Sequence, residues 1–85
     1  MNYIVGDIGN TSTKICLFDD KSQILKSIIF DNKNIFLKGH FKKNFKKINT
    51  KNIEEKILFS CVVPKALKRI KQILKNTSYK IIEIK

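Results

Sequence analysis

Asp7-Ile8-Gly9-Asn10-Thr11-Ser12-Thr13-Lys14 joins two apolar runs, Tyr3–Ile8 before it and Thr13–Phe18 after it. Gly-Asn between two strand-forming segments is a strong turn signal, so the stretch predicts a β-hairpin at the start of the chain. The turn is also chemically loaded. An aspartate at the end of a first strand can hold Mg²⁺ directly or through water, because this ion keeps several waters and takes few carboxylates. Gly9 lets the backbone approach a phosphate with no Cβ in the way. Asn10, Thr11, Ser12 and Thr13 place hydroxyl, amide and backbone N–H donors at one turn, and successive backbone N–H groups form an anion-binding nest. Lys14 adds a point charge suited to phosphate. The shorter pattern Asp-x-Gly-Asn is also ordinary turn chemistry, since Gly and Asn tolerate positive φ. The full octad in a strand–turn–strand setting predicts a phosphate site. It is not a Walker P-loop, because the Gly-Lys-Ser/Thr ending is missing and no helix follows.

Outward from the hairpin, Thr13–Phe18 alternates Ile15 and Leu17 against Cys16 and Phe18, then meets a second turn at Asp19-Asp20-Lys21-Ser22. Gln23–Phe30 reads as a third strand, and three strands on short polar turns make an antiparallel meander. Asn32 or Asn34 is the expected cap of a helix whose apolar face is Leu37, Phe41, Phe45 and Ile48, one side of a 3.6-residue period. Gly39 weakens that helix by about 1 kcal/mol relative to Ala if it lies inside it. Asn49–Glu55 is a polar connector, and Lys56–Val63, apolar apart from Ser60, suits a buried central strand. Pro64 fits a first helical position. Ala66, Leu67, Ile70, Ile73 and Leu74 form the stripe of a second helix, and Tyr79–Ile84 is a last strand. The order β-β-β-α-β-α-β predicts an α/β domain with a mixed sheet covered by helices, the layout of the ribonuclease-H-like unit.

Eighty-five residues make one domain, and 42% hydrophobic residues argue against wholesale disorder. The net charge of +11 is unevenly spread. Through residue 32, four acids (Asp7, Asp19, Asp20, Asp31) face three lysines, whereas beyond it 15 basic residues face Glu54, Glu55 and Glu83. Such a surface binds polyanions non-specifically at low salt. Arg69 is the only arginine, however, and arginine is the residue suited to forked recognition of phosphates and base edges. A lysine-rich solvated surface is the simpler reading, and no nucleic-acid partner is expected. Cys16 and Cys61 lie in apolar runs without metal or redox spacing and read as buried, reduced thiols. No signal peptide and no run of the ~18 apolar residues of a membrane span is visible, so the expected location is cytoplasmic.

The octad resembles the first phosphate motif of the acetate kinase, sugar kinase, Hsp70 and actin superfamily. Its Asp-Ile-Gly-Asn-Thr form near the amino terminus resembles type III pantothenate kinases. Ile57-Leu58-Phe59-Ser60-Cys61-Val62-Val63-Pro64 resembles that family's strand ending in Ser-x-Val-Pro, with a helix following as it does there. The resemblance covers essentially the whole chain and implies one half of an actin-like ATPase fold. It implies ATP-dependent phosphorylation of pantothenate, the first step of coenzyme A synthesis, with Mg²⁺, a monovalent cation (K⁺ or NH₄⁺) and a homodimer. By that resemblance Asp7 is the metal and phosphate ligand, and Gly9, Asn10, Thr11, Ser12, Thr13 and Lys14 belong to the ATP site. The family's Gly-Ala-Asp-Arg segment, with its catalytic aspartate and pantothenate contacts, has no counterpart here, nor does its second domain or second phosphate loop. No catalytic residue is therefore assigned, and residues 1–85 are expected to form a single domain that needs a carboxy-terminal half. A truncated gene, a split protein or a fragment would each account for this. The alternatives are a basic nucleic-acid-binding module, or a decayed non-catalytic remnant with a degenerate kinase motif.

His40, the only histidine, lacks partners at ligand spacing and reads as a helix-surface residue. Glu54-Glu55 reads as a solvated pair. Ser60 has no visible partner for nucleophilic work, and only a peripheral site role is open to it.

Overall fold

The computed structural model describes residues 1–48 and 53–84. Tyr3–Ile8 (β1), Ser12–Phe18 (β2) and Ile24–Asp31 (β3) form the antiparallel meander expected from their alternation. The β2–β3 turn is organised by Asp19, whose Oδ1 accepts from the N–H groups of Lys21 and Gln23, both at 2.9 Å. Lys56–Cys61 (β4) pairs parallel to β1, and Lys80–Ile84 (β5) pairs parallel to β4, giving the five-strand order β3-β2-β1-β4-β5. Only the first four residues of the connector at 49–55 lie outside the described residues; Ile53 bridges Asn2.

The segment after β3 departs from the expected single helix. Asn32–Phe36 is a short 3₁₀ turn, and the α-helix α1 begins only at His40 and runs to Ile48. Between them Gly39 has φ +76°, a left-handed conformation incompatible with a continuing helix. Leu37 therefore falls outside the helix and is 55% exposed, while Ile35 of the 3₁₀ turn enters the core in its place. The rest of the stripe holds: Phe41, Phe45 and Ile48 are buried. Neither asparagine caps α1.

Helix α2, Pro64–Ile73, starts on the proline and buries Ala66, Leu67 and Ile70, with Leu74 buried just past its end. Both helices pack on the same side of the sheet. Their apolar faces join Ile4, Ile8, Ile15, Leu17, Ile57 and Phe59 in one core. Side chains alternate across a strand, so the opposite face carries Cys16, Val5, Leu58 and Ile82 in one cross-strand row and Lys14, Asp7, Ser60 and Ile84 in the next. No described helix covers that face, so Lys56–Val63 does not form the fully buried central strand that its apolar composition suggested. Accordingly β4 is buried on one face only, with Leu58 half-buried and Ser60 exposed. No described helix is long and apolar enough to cross a membrane.

Gly6 shows how the core positions the hairpin. It stands opposite Phe59 in the parallel β1–β4 register, and the Phe59 ring folds across it. A Cβ on Gly6 would lie only 2.1 Å from Phe59 Cε1. The next pair along the same register is Asp7 with Ser60, on the open face.

Candidate phosphate-binding site

The octad forms the end of β1, the turn and the start of β2, as its sequence predicts. Asp7 is exposed on the open face, flanked in register by Lys14 of β2 and Ser60 of β4. Directly opposed cross-strand side chains stand about 5 Å apart at Cβ, so carboxylate, ammonium and hydroxyl share one patch. Among the described residues Asp7 and Lys14 form no ion pair, which leaves both free for a ligand. No group of three or more His, Cys, Asp or Glu able to hold a metal exists among the described residues. A lone exposed carboxylate beside phosphate donors suits Mg²⁺, which completes its shell with water and substrate oxygens.

The turn is tightly closed. Gly9 N–H donates to Ser12 O at 2.9 Å, and a Cβ on Gly9 would stand 3.2 Å from that oxygen. Asn10, Thr11 and Ser12 are exposed at the tip. Thr13 differs from its neighbours. It is fully buried, and its Oγ1 donates to Asn32 Oδ1 at 2.6 Å. Its hydroxyl therefore supports the turn from behind rather than facing solvent. Asn32 also donates through Nδ2 to Gly9 O at 2.7 Å, and its backbone N–H donates to Thr11 O at 2.9 Å. A shallow hollow of about 360 Å³ adjoins the turn, lined by Asn10, Thr11, Asp31, Asn32 and Lys33.

The second landmark lies beside the first. Val62 N–H donates to Ile8 O at 3.0 Å, stitching the end of β4 to the end of β1 just before the turn. Ser60, for which only a peripheral role was open, thus neighbours Asp7. Asn32, read from sequence as a helix cap, was the residue sequence reasoning missed. Its only local signal was a position just after a strand, and its partners lie 19 and 23 residues away.

The other residues are placed as follows. Cys16 is buried, whereas Cys61 is only half-buried, and both are free thiols. His40 is not a plain surface residue: it begins α1, half-buried, with its ring edge-on to Phe30 at 6.0 Å. Its Nε2 is buried and has no hydrogen-bond partner among the described residues.

The fold agrees with what the chain resembles. Over 99% of its length it superposes on the type II variant of the Aquifex aeolicus Ppx/GppA phosphatase, with TM-score 0.53, 13% identity and 35% of that chain covered. A second structure of the Aquifex aeolicus PPX-GPPA enzyme gives TM-score 0.51 at 13% identity, with 36% of that chain covered. At such identity the likeness speaks to fold alone, and that fold is of the actin-like ATPase class. In sequence, 79 residues are 44% identical to the type III pantothenate kinase of Pelagibacter ubique (strain HTCC1062), covering 92% of this chain. The chain spans 31% of that relative's length. Residues 3–85, which include the octad and the Ser-Cys-Val-Val-Pro strand end, match the profile of the same family, and the chain belongs to the type III pantothenate kinases.

Proposed function

We propose that this chain supplies the amino-terminal, ATP- and Mg²⁺-binding half of an ATP-dependent pantothenate kinase acting in the cytoplasm in coenzyme A synthesis. The observation that carries this reading is the patch at the hairpin: Asp7, Lys14 and Ser60 in one cross-strand row beside the donor-rich turn of Asn10, Thr11 and Ser12. Phosphoryl transfer depends chiefly on positioning and electrostatic stabilisation, and these groups are suited to both. The turn amides and hydroxyls bind phosphate oxygens, Lys14 offsets their charge, and Asp7 holds Mg²⁺ directly or through water. Bound there, Mg²⁺ would neutralise charge developing on the phosphates. Thr13 keeps the turn in shape from behind. The monovalent cation (K⁺ or NH₄⁺) is assigned no donors on this chain.

No base and no pantothenate pocket is assigned among the described residues, and this reading looks for both in the region of the family that this chain, spanning 31% of its relative's length, does not cover. The test is complementation. The chain alone shows no pantothenate-dependent ADP release, and mixing it with the remaining region of a close relative restores measurable turnover. Robust turnover by the chain alone would require a catalytic arrangement absent from this reading. A chain that ignores the added region, under conditions where the relative's own two parts recombine, would favour a free-standing binding module.

A further inference from the structure

The phosphate turn is tied to the end of β3 through one side chain. Asn32 Nδ2 donates to Gly9 O, its Oδ1 accepts from Thr13 Oγ1, and its backbone N–H donates to Thr11 O. Gly9 O can only accept, which fixes which way the Asn32 amide points. All described peptide bonds are trans, so within each peptide plane the C=O and the following N–H point in opposite directions. Holding Gly9 O toward Asn32 therefore turns the N–H of Asn10 away from it. Holding Thr11 O does the same to the N–H of Ser12. Ser12 O is itself engaged by Gly9 N–H. Three carbonyls that would repel a phosphate are thus occupied inside the structure, and two amide donors are aimed the other way.

We propose that Asn32 is the positioning residue of the phosphate turn, orienting the Asn10 and Ser12 amides toward the polyphosphate, with Thr13 holding its side-chain amide in place. The inference rests on the reading of the hairpin as a phosphate site. An aspartate at this position keeps an acceptor for Thr13 but sets a carboxylate oxygen against Gly9 O. Alanine removes both side-chain links. Neither change touches the exposed donors themselves.

The experiment is an amide ¹H–¹⁵N titration of the chain with magnesium tripolyphosphate. In the wild type, the Asn10, Thr11 and Ser12 amides shift on addition. In Asn32→Ala the core resonances stay dispersed while affinity falls about tenfold, the size expected from losing about one net hydrogen bond's worth of preorganisation. Thr13→Ser, which keeps the hydroxyl, retains wild-type affinity; Thr13→Val loses several-fold. This serine rescue separates positioning from bulk packing, and it decides the matter if Asn32→Ala does not fold. A wild-type turn silent to tripolyphosphate would overturn the phosphate reading and this inference together. A wild-type turn that responds, with Asn32→Ala or Thr13→Val binding equally well, would leave the phosphate site standing and remove Asn32 from it.

Discussion

Substituting Gly6→Ala tests whether the core holds β1 against β4 as described, and hence whether Asp7 and Ser60 share a patch. The added Cβ would stand 2.1, 2.4 and 2.7 Å from three atoms of the Phe59 ring, far inside van der Waals contact. Phe59 is fully buried, with Ile57 on its own strand and Ala66, Leu67 and Ile70 of α2 in the same core. The ring has no solvent to swing into, so the strain is relieved by off-rotamer side chains or by separation of the two strands. Overpacking of this kind costs about 1–3 kcal/mol, and so direct a clash belongs at about 2–3 kcal/mol. In a domain of this size that lowers Tm by roughly 10–20 °C. Thermal unfolding followed by circular dichroism measures it. Phe59→Leu alone costs about 1 kcal/mol by shape change, and in the double variant the two penalties partly cancel, by about 1 kcal/mol or more. A Gly6→Ala protein as stable as wild type, or strictly additive penalties, would mean that the ring does not lie across Gly6.

Two further predictions bear on the segment after β3 and on the basic surface. Gly39→Ala meets no atom within 4 Å, so its effect is purely conformational at φ +76° and costs about 1–2 kcal/mol in chemical denaturation; a stabilisation would restore the single continuous helix. The groove of Phe36, Lys65, Lys68, Arg69 and Gln72 offers three cations, so any binding of a short DNA duplex there weakens about 40-fold between about 50 and 200 mM salt, without sequence preference. A salt-resistant, sequence-selective complex would move the function to this surface.

The strands were legible because their signals are local. Alternation in Thr13–Phe18, the Asp19 turn and Pro64 before an apolar stripe each act within a few residues. The helix after β3 was misread for an equally local reason. Leu37 falls at the right spacing from Phe41 to extend the stripe, and nothing in spacing reveals that Gly39 is left-handed or that Ile35 takes the core position. The polar groups of the turn at 9–14 were legible as residue types. The roles of Thr13 and Asn32, and the nearness of Ser60 to Asp7, were not, because they depend on the β2–β3 and β1–β4 registers. Such long-range pairings place residues that sequence spacing alone leaves apart.

The central claim is that the hairpin binds ATP phosphates with Mg²⁺ on Asp7, and titration calorimetry of MgATP against wild type and Asp7→Asn tests it most directly. Asp7 is exposed and carries no ion pair among the described residues, so the substitution removes a charge without unpairing a buried partner. The account predicts weak binding, because it assigns only one wall of a nucleotide pocket to these residues. That binding disappears when Mg²⁺ is withdrawn, and it falls about tenfold or more in Asp7→Asn, the scale of a lost charged interaction. Equal affinities for the two proteins, or wild-type binding indifferent to Mg²⁺, would contradict it.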